Sequence, residues 1–96
     1  MTNIRSAFVS GTGTFLDALT SVTVTDTRIR AVNCAGTGIV VITGTSTDPF
    51  GNTMGARIKF QVNGDTYQEL PDAGVRMAGK VIVSAASTIS TTIYYG

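Results

Sequence analysis

Threonine, valine and isoleucine supply more than a third of this 96-residue chain (16, 10 and 8 residues). That density of β-branched side chains constrains the fold more than any motif does. Two heavy substituents on Cβ lose rotamer freedom in a helix but pack well on a pleated surface. The good helix formers leucine, glutamate and lysine number only three, one and two. The expected class is therefore all-β.

Local patterns divide the chain into strands. Ile58, Phe60 and Val62 alternate with Arg57, Lys59 and Gln61, the period of a half-buried strand. Asn63-Gly64 follows at once and reads as a type I′ hairpin turn, with a return strand over residues 65–70 stopped by Pro71. Upstream, residues 28–34 place Arg28 and Arg30 outward and Ile29 and Ala31 inward. Gly36-Thr37-Gly38 reads as a turn, and residues 39–44 as a central strand apolar on both faces. Asp48-Pro49-Phe50-Gly51-Asn52 is a loop by its punctuation, and Asp72-Ala73-Gly74 a turn. Residues 80–85 and 88–95 read as a closing hairpin across Ala86-Ser87. Its inward rows are Val81, Val83, Ala85 and Ile89, Thr91, Ile93, Tyr95. Residues 4–9 and 22–25 are further strand candidates, and residues 15–19 could form a single helical turn. Seven to eight short strands with turns between them predict an antiparallel β-sandwich or jelly roll.

Size and charge bound the rest. Ninety-six residues make one domain, residues 1–96, with a modest core and no disulfide, because Cys34 is the only cysteine. A lone thiol in such a context is usually a small buried hydrophobe. Charged residues are 14% of the chain, net +1, and mean hydropathy is +0.25. A chain so weakly charged and so apolar either aggregates or has much of its surface covered by neighbours, and an oligomer or a subunit of a larger assembly is expected. The longest apolar run, Gly38-Ile39-Val40-Val41-Ile42, is far short of a membrane span, and residues 1–6 lack the apolar core of a secretory signal.

Chemistry is sparsely represented. The chain has no histidine, which removes the usual base near neutral pH and most transition-metal sites. Cys34 has no histidine to activate it. The six carboxylates sit in or beside segments that read as turns, caps or strand ends. Asp48 and Asn52 are too few for a calcium loop. Gly11-Thr12-Gly13-Thr14 lacks the Gly-Lys-Ser/Thr ending and following helix of a phosphate loop. Arg28, Arg30, Arg57 and Lys59 could share a sheet face, yet only Tyr67 lies near them, which is thin for nucleic acid. No enzyme activity, cofactor, metal, nucleic acid or membrane partner is expected.

The carboxyl-terminal residues carry a resemblance. Gly74-Val75-Arg76-Met77 before Gly79-Lys80-Val81-Ile82-Val83-Ser84, ending in Thr91-Thr92-Ile93-Tyr94-Tyr95-Gly96, resembles small β-sandwich virion proteins of tailed bacteriophages. Arg28-Ile29-Arg30-Ala31-Val32 and the following Ala35-Gly36-Thr37-Gly38 fit the same rhythm. The resemblance covers residues 28–96 and implies a capsid decoration (cement) subunit, made in the host cytoplasm and located in the virion. Its partners would be further copies of itself, a trimer being expected, and the major capsid protein or other virion subunits. Residues 1–9 would be an arm onto the shell or an edge strand. The alternative is a carbohydrate- or receptor-binding tip module. Interface candidates are Ile4, Arg5, Phe8, Phe50, Arg76, Tyr94 and Tyr95.

Overall fold

A computed structural model describes residues 4–47, 49–52, 57–70 and 74–96. Residues 1–3 of the expected arm, Asp48, the Pro71 strand stop and Asp72-Ala73 lie outside them. The described chain is all-β, with no helix: β1 (Arg5–Ser10), β2 (Gly13–Thr14), β3 (Thr25–Ala35), β4 (Thr37–Gly44), β5 (Arg57–Asn63), β6 (Thr66–Glu69), β7 (Val75–Ser84) and β8 (Ser90–Tyr95). Every pairing is antiparallel, in one network ordered β1-β8-β3-β7-β4-β5, with β6 beside β3 and β2 beside β7.

The organising element is one long strand folded at a corner. β3 and β4 are separated only by Gly36 and do not pair with each other. β6 runs along the edge of β3 and β5 along the edge of β4, in one unbroken register. Cys34 faces Thr66 and Thr37 faces Asn63, three steps forward on one side and three back on the other. The Gly64 amide donates to the Gly36 carbonyl at 2.9 Å, so the two corners are bonded to each other. The opposite edge repeats the arrangement: Ala35 faces Ser90 and Val41 faces Ser84, again six forward and six back. Gly36 sits at φ 125°, and a Cβ there would lie 2.9 Å from the Thr88 carbonyl oxygen. Only glycine allows the edges to close this tightly.

Both expected hairpins are therefore corrected. β5 pairs with β4 and β6 with β3, so Asn63-Gly64 is a corner of a longer ribbon and not its turn. A type I′ turn needs positive φ at both central residues. Gly64 has it (79°), and Asn63 does not. Likewise β7 and β8 do not pair. Residues 85–89 round the same corner from outside, and β7 closes the network instead, bonding β3 through Val75 and Met77 and β4 through residues 81–84. Gly79 divides those halves; its amide donates to Asp26 Oδ1 at 2.7 Å, at a bulge where Asp26 takes φ 49°.

Other expectations shift in detail. Of the two readings of residues 1–9, the edge strand holds where the chain is described: β1 (Arg5–Ser10) pairs with β8 at the margin of the network. The single helical turn expected at residues 15–19 lies at 17–21 instead, closed by the Ser21 amide donating to the Asp17 carbonyl at 2.9 Å. Leu16 bridges Thr23, Asp17 bridges Ala7, and Val24 donates to the Phe15 carbonyl at 3.0 Å, while Thr25 already belongs to β3. β4 is covered on one face only: Val40 and Ile42 are buried, whereas Ile39 is exposed. The predicted alternation holds on β5, β7 and β8. Val62, Val81, Val83, Ile89, Thr91, Ile93 and Tyr95 are buried, with Ile58 and Phe60 packed against the same core. The network folds over itself, so this core also takes Ala7, Phe15, Val24, Ile29, Val32, Cys34 and Met77.

Candidate functional site

The strongest candidate is the outer face of β1, β8, β3 and β6. Register places Phe8, Thr92, Asn33 and Tyr67 in one row across four strands, and Ser6, Tyr94, Ala31 and Glu69 in the next. Phe8 is 56% exposed and Tyr67 59%, with Ile4 exposed beside them. The Tyr67 and Tyr94 rings are tilted by 57° with centroids 6.5 Å apart. They line an open groove of about 370 Å³ together with Ile4, Arg30, Glu69 and Leu70. A second groove of about 320 Å³ lies on the other side of the Phe8 row, lined by Asn33, Asp65 and Ser90.

A β-bulge shapes the first groove. Ile29 faces Tyr95 and Ala31 faces Tyr94, so Arg30 is the extra residue on β3. This re-aims the strand: Ile29 and Val32 point into the core, while Ala31, expected inward, joins the outer row beneath the tyrosines. Arg30 Nη2 donates to the Gly96 carbonyl at 3.3 Å, and its Nε is buried with no partner among the described residues. The Tyr67 hydroxyl approaches Glu69 Oε1 at 3.5 Å. Desolvation, and then the Glu69 carboxylate, push the Tyr67 phenol up from its usual pKa.

The most perturbed titrating groups lie elsewhere. Asp17 is 5% exposed. Its Oδ2 accepts a hydrogen bond from the Tyr95 hydroxyl, and its Oδ1 accepts from the Leu19 and Thr20 amides at 2.9 and 3.0 Å. The Tyr95 bond and then the backbone donors hold the carboxyl down at about 2. Burial, and then Asp17, push Tyr95 up to about 12. A carboxylate saturated in this way is a poor proton acceptor, and the phenol is a poor donor, so the pair is a staple between β8 and the turn after residue 17. Burial likewise pushes the Cys34 thiol up and away from reactivity. Among the described residues no three His, Cys, Asp or Glu side chains converge as metal ligands.

The interface candidates divide accordingly. Ile4, Phe8 and Tyr94 share the outer face. Tyr95, only 7% exposed, is a core residue and cannot anchor a partner; strand alternation turns it inward and Tyr94 outward. Arg5 lies beside Tyr95 at the edge of β1, Phe50 is 89% exposed in the β4–β5 connection, and Arg76 faces Arg28 across β7 and β3. Arg57 and Lys59 are on β5, separated from Arg28 and Arg30 by β4 and β7, so the four do not form one basic strip. Sequence reasoning missed Tyr67 as a partner of Tyr94, because the unbroken ribbon register that brings them together is non-local. It also missed the Asp17 staple. The signal available was Asp17 three residues before Thr20, the spacing of a side-chain-capped turn. No protein-family model matches this chain, and neither a curated protein nor a solved structure matches it significantly.

Proposed function

We propose that the chain is a non-enzymatic structural subunit of a tailed-phage virion, a capsid decoration protein that binds the head through the outer face of β1, β8, β3 and β6. The observation that carries this reading is the exposure of Ile4, Phe8 and Tyr67 on one face, around a half-buried Tyr94, on a chain with so few charges. Exposed aromatic side chains bring large apolar area and a polar tip, the composition of protein-binding hot spots. The phage assignment itself rests on the resemblance of residues 28–96. Mass spectrometry of purified particles from the phage or prophage encoding the chain provides the test. The expected result is a fixed copy number per major capsid protein; recovery only in the soluble lysate overturns the reading. A second reading, a glycan- or receptor-binding tip, draws on the Tyr67–Tyr94 groove with Arg30 and Glu69 at its wall. Uniform silence of the purified protein on a glycan array would remove its carbohydrate form.

A further inference from the structure

The main strand order ends at β1 on one side and β5 on the other, with shorter margins at β6 beside β3 and β2 beside β7. The free margin of β1 is partly occupied by the chain itself, through the Ala7–Asp17 bridge and an Ala18 amide donating to the Ser6 carbonyl at 2.9 Å. β5 has no such cover: among the described residues all seven of its positions pair with β4 alone. An edge of this length presents a row of backbone donors and acceptors to any extended neighbour. Ile58 and Phe60 belong to the core face yet stay half-buried, as expected where a sheet stops one strand short.

We infer that a second copy of this chain completes β5, the two strands pairing antiparallel about a two-fold axis at Phe60. Pairing length and charge together select that register, since a centre at Gln61 also keeps like charges apart but pairs only five residues. Centred on Phe60, all seven residues pair, Arg57 faces the partner's Asn63, Lys59 faces the partner's Gln61, and Ile58 faces the partner's Val62. Centred on Lys59, two lysines oppose each other and only five residues pair; centred on Ile58, lysine opposes arginine. Like charges directly opposite are destabilising, so the amides of Gln61 and Asn63 suit the basic residues they meet. A two-fold contact of this kind is self-complementary and closed, giving a dimer in place of the expected trimer. This inference stands apart from the virion reading, since it uses a different edge.

Sedimentation equilibrium of the full-length chain over a concentration series tests it, with circular dichroism confirming that each variant folds. Gln61→Lys places lysine against Lys59 twice per dimer and is expected to raise the dimer dissociation constant roughly three- to thirty-fold. Gln61→Glu places a carboxylate there instead and is expected to lower it. A register centred on Gln61 would oppose the new charges to themselves, so both variants would weaken the dimer, which overturns the assignment. A monomer at every concentration also overturns it, as does a dimer indifferent to both variants.

Discussion

Tyr95 and Asp17 stand at opposite ends of the chain, and their hydrogen bond is the clearest single-residue constraint on the fold. It carries a pH signature with two limbs. The Asp17 carboxyl falls from an ordinary 3.8 to about 2 on folding, so its contribution is fully present above pH 4 and is lost as pH falls through 2. Tyr95 is raised from 10 to about 12, so its contribution is present below pH 10 and fades as pH rises through 12. Urea unfolding midpoints across pH 2–12 should show a plateau with shoulders at both ends. Tyr95→Phe should lower the plateau and shrink the alkaline shoulder to the smaller part that Tyr67 contributes. A midpoint in Tyr95→Phe that declines between pH 10 and 12 as steeply as in the parent would contradict this account.

At the scale of elements, the decisive feature is the corner where β3 becomes β4. Gly36→Ala puts a methyl within 2.9 Å of the Thr88 carbonyl, on a backbone at φ 125° that side chains rarely adopt. Thermal unfolding should report a loss of about 1–3 kcal/mol or more. Gly51→Ala, with open space around it, should lose less despite its own positive φ. The same corner explains what the sequence could and could not disclose. Alternation in Ile58-Lys59-Phe60-Gln61-Val62 and in Ile89 to Tyr95 is a local signal, so strand faces were legible. Asn63-Gly64 and Ala86-Ser87 are equally local, but their meaning depends on which strand lies alongside. A glycine that turns a hairpin and a glycine that bends a ribbon look alike in sequence. The pairing of β5 with β4 is set by Gly36 and Gly64 meeting from 28 positions apart. The Arg30 bulge is likewise a relation between β3 and β8, and with it the groove floor at Ala31.

On the scale of the whole molecule, two surfaces with different chemistry enclose one small core. The outer side of β4 and β5 carries Ile39, Val41, Arg57, Lys59 and Gln61, whereas the opposite face carries Ile4, Phe8, Tyr67 and Tyr94. If the aromatic face is held out for a partner, its residues are dispensable for folding, and this separates it from the core. Phe8→Ser and Tyr67→Ser remove side chains more than half exposed, and each should change unfolding free energy by about 1 kcal/mol or less, the Tyr67 change including its ring contact with Tyr94. Ile93→Ala empties a site with no solvent exposure at all and should cost about 2–5 kcal/mol, a large share of what a domain this size possesses. On the proposed decoration role, co-sedimentation with purified heads should then invert the order. The two serine variants fold as the parent does but fall out of the particle fraction, while Ile93→Ala, at a temperature where it remains folded, stays bound. If instead the serine variants melt as early as Ile93→Ala, the aromatic row is part of the fold's own packing and the partner must lie on another face.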